Sequence, residues 1–219
     1  MRIIAGQRRG HKIDGPRPSA STKPTSDLVR ESLFNILGER VVDREVVDLF
    51  AGTGALGLEA LSRGAQHATF VERDRENVGL IYRNVATLRY QDRVRVRHAD
   101  AYRWARSFEP PDDHPLVVFL DPPYRHYEIH ARSLNRMLAQ LVEKLPPGSV
   151  LVVESGRILD EQILPEFASW DLRRYGNTQV ALRVVAAPAE GMLNGDGNAG
   201  LTTGAEVPAG PEPEDDRDD

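Results

Sequence analysis

A carboxylate, two prolines and an aromatic ring stand in a row at Asp121-Pro122-Pro123-Tyr124, directly after the apolar run Leu116-Val117-Val118-Phe119-Leu120. A run of that kind ending in a rigid polar turn predicts a buried strand that delivers side chains at its carboxyl end, the ligand edge of an open α/β sheet. The four residues suit work on a planar amine. The exocyclic NH2 of a nucleobase is a poor nucleophile because its lone pair is delocalised into the ring, so two acceptors must hold its hydrogens. The Asp121 carboxylate and the Pro122 carbonyl are placed to do so, the prolines fix the backbone, and Tyr124 offers a face on which a base can stack. A plain strand-to-loop turn uses the same residue types.

A second signal lies upstream. Val46-Val47-Asp48-Leu49-Phe50 predicts another buried strand, which runs into Ala51-Gly52-Thr53-Gly54-Ala55-Leu56-Gly57 and a helical pattern through Leu58, Ala60 and Leu61. Gly52 and Gly54 permit tight turning and close approach of a ligand, and Gly57 lets the helix pack on the strand, as a nucleotide-binding turn requires. The next strand, Ala68-Thr69-Phe70-Val71-Glu72, ends in an acid about 24 residues beyond Asp48, suited to ribose hydroxyls. Val94-Arg95-Val96-Arg97 then leads to Asp100-Ala101, where a carboxylate or backbone group can reach an adenine amine or where the Asp simply turns the chain.

Glycine loop, acid, second acid and D-P-P-Y, in that order, resemble the S-adenosylmethionine-dependent amino-methyltransferases. Within them the chain is most similar to the bacterial RsmD family. The likeness runs to about residue 186 and includes Arg2-Ile3-Ile4-Ala5-Gly6 with Arg9-Gly10, Lys23-Pro24-Thr25-Ser26-Asp27, Val29-Arg30-Glu31-Ser32-Leu33-Phe34-Asn35, and Arg174-Tyr175-Gly176-Asn177-Thr178. The segment from Pro16 to Thr22 departs from the glycine-rich approach usual there. The resemblance implies a doubly wound, Rossmann-like class I methyltransferase sheet, mostly parallel, with an antiparallel C-terminal edge hairpin. It implies S-adenosylmethionine as cofactor, held at Asp48, Phe50, Gly52, Thr53, Gly54, Glu72, Asp100 and Ala101, and a catalytic clamp at Asp121, Pro122, Pro123 and Tyr124. It further implies methylation of a guanine N2 amine in 16S rRNA, within the assembled or assembling small ribosomal subunit, with no metal.

Three rivals stay open at this stage. A DNA adenine or cytosine amino-methyltransferase uses the same clamp, although the segment after Tyr124 is too short for an inserted recognition domain. A nicotinamide-dependent oxidoreductase shares the glycine loop but gives Asp121-Pro122-Pro123-Tyr124 no role. A non-catalytic ribosome-assembly factor keeps the fold and only binds RNA.

A chain of 219 residues, 40% hydrophobic, can bury a core without staples. Its net charge of −5 conceals a segregation. Residues 189–219 hold nine acids and one Arg, while residues 1–30 hold seven Lys or Arg against two Asp, which makes the N-terminal end the expected phosphate-facing surface. Arg8, Arg9, Lys12 and Arg30 are its candidate RNA contacts. The sequence contains no cysteine, excluding thiolate chemistry, and no apolar stretch or leader pattern points to a membrane, so the expected location is cytoplasmic.

Three regions are expected: a basic N-terminal extension of hairpin plus helix over 1–38, a methyltransferase domain over 39–186, and a disordered acidic tail over 187–219. Ile3 to Ile13 forms the hairpin or arm, and Asp14 to Pro24 a loop. Thr25 or Ser26 caps a helix that turns Leu28, Val29, Leu33, Ile36 and Leu37 inward, leaving Arg30 and Asn35 to line the site mouth. Further helices are read at 75–88 and about 129–145, and strands at 150–154, within 170–175 and at 179–185. His126 and His130, four apart, are taken as a solvent-facing pair; Trp104 and Trp170 receive no role.

Overall fold

The computed structural model describes residues 1–15 and 27–187. The cap at Thr25 or Ser26, most of the proline-rich loop and nearly all of the acidic tail lie outside the described residues.

Seven strands form one sheet: β1 (Glu45–Leu49), β2 (His67–Glu72), β3 (Val94–His98), β4 (Val117–Leu120), β5 (Val150–Ser155), β6 (Asp171–Tyr175) and β7 (Thr178–Val184). Their spatial order is β3-β2-β1-β4-β5-β7-β6. The first five are parallel, with Val46 beside both Ala68 and Val117; β7 runs antiparallel to β5 and β6. This is the doubly wound sheet with an antiparallel edge hairpin expected from the sequence, turning at Gly176 in the left-handed region. Order reverses between β1 and β4. A crevice opens at such a switch point beyond the strands' carboxyl ends, and the glycine loop and the D-P-P-Y turn both begin there.

Alternate residues of each central strand feed two cores. Val46, Phe70, Phe119 and Val152 pack with α1 (Asp27–Leu37), α2 (Ala55–Ser62) and α3 (Arg75–Leu88). Val47, Leu49, Val118 and Val153 pack with α4 (Ala101–Ser107), α5 (Arg125–Ile129) and α6 (Ala131–Lys144). Burial on both faces is why these strands read as continuous apolar runs. The short helices α4 and α5 were not anticipated, because five to seven residues hold too few turns to show a stripe.

The N-terminal arm is a loop closed on itself and fastened to α2. Arg2 bridges Lys12, Ile3 N donates to His11 O at 3.0 Å, and a single 3-10 turn at Gly6–Arg8 reverses the chain. Ile4 N and Ala5 N donate to the Glu59 carboxylate at 2.7 and 3.0 Å, and Arg8 N donates to Ser62 Oγ at 3.0 Å. Gly6 admits no side chain: its φ is +78°, and a methyl group there would lie 1.9 Å from the Ser62 carbonyl oxygen. Ile3, Ile13, Val29 and Phe34 all enter the core shared with α2 and α3.

Helix α1 is rotated relative to its expected stripe. Leu28 is 67% exposed and Arg30 only 1%. The Arg30 guanidinium turns inward because partners wait there: Nη2 donates to Arg2 O and to Asp27 Oδ1, both at 2.8 Å.

Candidate active site

The turn after β1 is built from left-handed residues. Phe50 has φ +62°, Gly52 +56° and Gly54 +79°. Glycine adopts such angles freely, but a phenylalanine does so only when its surroundings hold it. The Phe50 ring is gripped edge-on by Tyr102 and His126, with centroids 5.4 and 5.7 Å away. Gly57 gives the helix-on-strand packing read from the sequence, since a methyl there would fall 2.4 Å from the ring of Phe70 in β2.

Two acids hold this turn from below. Asp48 Oδ2 accepts from Gly57 N at 3.0 Å. Burial pushes the Asp48 carboxyl well above the usual carboxylate range; the Gly57 N–H opposes this, and Asp121 and Glu72 add to it. Glu72 accepts from Gly52 N at 2.8 Å through one oxygen and from Asp74 N at 2.7 Å through the other. Each Glu72 oxygen keeps a second lone pair for a ligand hydroxyl. Asp100 is occupied differently: its carboxylate caps α4 by accepting from Arg103 N at 3.0 Å, and the cavity wall there is Ala99 and Ala101.

Asp121, Pro122, Pro123 and Tyr124 line the same cavity, of about 550 Å³, as Asp48, Phe50, Gly52, Thr53, Glu72 and Ala101. The carbonyls that start α5 by accepting backbone N–H groups are those of Pro123 (from His126, 2.8 Å) and Tyr124 (from Tyr127, 3.1 Å), one residue past the Pro122 carbonyl. Tyr124 stands at the rim, 43% exposed. Partial burial raises its phenol pKa, helped by Asp121 and Glu154, so the hydroxyl stays neutral.

The electrostatics favour a cation. Glu72, Asp74, Asp121 and Glu154 face the cavity against Arg73 and Arg125, and Asp121 and Glu72 add to the upward push that burial gives the Asp48 carboxyl, as a negative interior would. A sulfonium relieves that repulsion, whereas the anionic pyrophosphate of a nicotinamide dinucleotide adds to it. The residues present therefore fit S-adenosylmethionine.

His126 corrects the expectation of a solvent-facing pair. It is 3% exposed, its Nδ1 lies 3.0 Å from the Tyr102 hydroxyl, and its ring meets His130 edge-on with centroids 4.9 Å apart. Burial, then His130 and the cations Arg73 and Arg125, hold its pKa down to about 4 from an ordinary 6.5. Between those values the unfolded chain binds a proton that the fold refuses, so stability falls as pH drops from about 6.5 towards about 4. Denaturant midpoints measured across this window should fall less steeply for His126→Gln, by roughly one proton's linkage; parallel curves would show that His126 is not the group responsible.

Arg30 is the second correction. The sequence placed it at the site mouth as an RNA contact, but its buried guanidinium, with pKa lowered by desolvation, faces Asp27 and the Arg2 carbonyl and presents nothing to a phosphate. Arg8 is half-buried, its guanidinium 5.7 Å from the Tyr90 ring centroid, while Arg9 and Lys12 are exposed. Sequence reasoning also passed over Glu59, the buried carboxylate that anchors the arm, and Gly156, which lines the cavity beside Tyr124. The one legible signal for Glu59 was an acid inside a helix otherwise apolar on every side.

A doubly wound sheet with a glycine-loop cavity and a D-P-P-Y clamp at its switch point defines a class I methyltransferase, and S-adenosylmethionine is its cofactor. A family described as "Conserved hypothetical protein 95" matches residues 1–184. The chain is 39% identical over 201 residues to Ribosomal RNA small subunit methyltransferase D of Escherichia coli (strain K12), covering 90% of this chain and 94% of that one. It is 37% identical over 187 residues to Putative rRNA methyltransferase YlbH of Bacillus subtilis, covering 83% and 97%. Among solved structures, Putative methyltransferase yhhF from Escherichia coli superposes with a TM-score of 0.67 at 35% identity, covering 86% of this chain and 99% of that one. The chain belongs to the RsmD family of methyltransferases.

Proposed function

We propose that this protein methylates the exocyclic N2 amine of a guanine in 16S rRNA, in the cytoplasm, on the assembled or assembling small ribosomal subunit. The observation that carries the reading is the continuity of one cavity from the glycine loop and Glu72 to Asp121 and Tyr124. Relatives named as ribosomal RNA methyltransferases support the substrate class.

Bound at the glycine loop, S-adenosylmethionine supplies an electrophilic methyl group. Phe50, Gly52, Thr53, Glu72 and Ala101 would hold it, Glu72 offering acceptors to the ribose hydroxyls, while Asp48, Gly54 and Asp100 act on the backbone that shapes the site. Tyr124 stacks on the extruded base, because a base stacked within an RNA helix cannot present its amine to this cavity. The Pro122 carbonyl and the Asp121 carboxylate take the two amine hydrogens, while Pro123 stiffens the turn. On accepting the methyl group the amine nitrogen would become cationic, the C–S electron pair staying on the cofactor's sulfur, and the Asp121 carboxylate would stabilise that charge until the proton passes to water. Arg9 and Lys12 supply phosphate contacts beyond the cavity.

Small subunits from a strain lacking the enzyme, incubated with the protein and labelled cofactor, should yield N2-methylguanosine on nucleoside digestion. The same RNA stripped of protein should react at least about tenfold more slowly, since the particle organises the RNA shape that presents the target base. Label in adenosine or cytidine would refute the guanine assignment, and equal rates on both substrates would refute the dependence on the particle.

A further inference from the structure

We propose that Gly156 is the seat of the Tyr124 ring: the missing side chain at position 156 sets where that ring lies, and with it the opening through which a base enters. The inference rests on the reading of Tyr124 as the stacking face for the target base.

The glycine is not there for its backbone. Gly156 is not among the residues in the left-handed region, so its main chain admits any amino acid. What position 156 lacks is room. A methyl group built on it would lie 2.3 Å from Tyr124 Cε1, 2.8 Å from Cζ and 3.0 Å from the hydroxyl oxygen. One edge of the ring occupies the space that a side chain would fill, and both residues line the cavity.

The contact cannot be relieved by retreat of the backbone, because the two sides are tied together. Gly156 follows β5, and Tyr124 stands immediately before α5. Tyr127, in α5, donates its hydroxyl to the Glu154 carbonyl in β5 at 2.5 Å. Arg157 N donates to Ser155 Oγ at 3.0 Å, and the Arg157 side chain pairs with Glu128 of α5. The seat and the helix that carries the ring are therefore braced on both flanks of position 156. The ring itself is different: it is the exposed end of a side chain at the cavity rim, 43% exposed, and can swing outward. Gly6 makes the contrast. There the obstacle is a backbone carbonyl, which cannot move, so a side chain at 6 attacks the fold. At 156 the obstacle is the far end of an exposed side chain, so a side chain displaces the clamp and spares the fold.

The test is Gly156→Ala, alone and with Tyr124→Ala. The alanine variant should melt within about 3 °C of the parent and bind S-adenosylmethionine within about twofold, while kcat/KM for small subunits falls at least about tenfold. Adding Gly156→Ala to Tyr124→Ala should cost less than about twofold more, since the ring it displaces is already gone. Where Tyr124→Ala is itself impaired, a full, additive loss in the double variant or a parental kcat/KM in Gly156→Ala would overturn the proposal. Ring resonances of labelled tyrosine, with Tyr124 assigned through Tyr124→Phe, separate this claim from the one beneath it. A shifted Tyr124 signal in Gly156→Ala supports the seat even if Tyr124→Ala proves fully active, in which case the stacking role fails. An unshifted signal overturns the seat whatever the kinetics of Tyr124→Ala.

Discussion

Asp121→Ala should bind S-adenosylmethionine within about threefold of the parent and transfer methyl groups at least about a hundredfold more slowly. The two quantities separate because of where charge appears. In the ground state the amine is neutral and its hydrogen bond to Asp121 is one of two; in the transition state the nitrogen carries positive charge, and the carboxylate gains interaction energy only then. Asp121 also contributes to the negative field that raises the Asp48 pKa, so its removal should relax that carboxyl without opening the glycine loop, which Glu72 and Asp48 hold through backbone N–H groups. Asp121→Asn keeps an acceptor oxygen and loses the charge, so it should fall between the parent and alanine. Calorimetry for the cofactor beside tritium transfer to small subunits measures both halves. Near-parental transfer by Asp121→Ala would remove the carboxylate from the mechanism; a cofactor affinity lost as severely as the rate would move its role to binding.

The contrast between what the sequence disclosed and what it withheld has a physical basis. Strands β1, β2, β4 and β5 are covered on both faces, so burial imposed continuous apolar runs that no helix of comparable length requires. The edge hairpin was visible through Gly176, where a turn demands a left-handed residue. Gly52 and Gly54 were legible for the same reason, since backbone sterics restrict those positions directly, whereas Gly57 was legible only through its place in the glycine-loop pattern. The position of Asp121-Pro122-Pro123-Tyr124 on the cavity was legible because the apolar run before it had to end at the carboxyl edge of the sheet.

Side-chain destinations were less accessible, since they depend on partners remote in sequence. The α1 stripe was drawn through Leu28 because leucine is apolar, yet Arg30 took the inward position once Asp27 and the Arg2 carbonyl offered charge-assisted bonds there. The His126 expectation failed likewise: nothing local to Tyr124-Arg125-His126 reveals that Phe50, from the turn after β1, and Tyr102, from α4, close over the imidazole. Asp100 shows the reverse. Its carboxylate finds a partner three residues away, capping α4 at Arg103 N, which neither the adenine contact nor the plain turn described, and the cavity wall passes to its alanine neighbours. Gly156 could not be found from the sequence, because its constraint is a ring 32 positions away rather than a backbone angle.

The largest expected effect on the fold falls on a residue outside the cavity. Glu59 is fully buried in α2, where its carboxylate accepts from Ile4 N, Ala5 N and Arg63 Nε at 2.7, 3.0 and 2.7 Å. Glu59→Ala strands two backbone donors and a largely buried guanidinium at once. Loss of one partner from such an arrangement costs roughly 3–5 kcal/mol, a fall of roughly 6–20 °C in melting temperature for a domain of this size. Glu59→Gln retains an acceptor but not the charge, and should lose about half as much. The damage should be directional as well. The arm is held to α2 mainly by Glu59 and Ser62, and its first residue, Met1, lines the cavity with its sulfur 3.9 Å from the Thr53 hydroxyl. Release of the arm should therefore expose Arg8 and Arg9 to trypsin well below the melting temperature and raise KM for the small subunit more than the dissociation constant of the cofactor, because Glu72 and Asp48 still hold the glycine loop. Melting curves and limited proteolysis of Glu59→Ala read the two consequences separately. A melting temperature within about 2 °C of the parent would show that the buried carboxylate contributes little net stability, as a replaceable internal ion pair can. Unchanged cleavage at Arg8 and Arg9 would show that the arm is held by the packing of Ile3 and Ile13 instead.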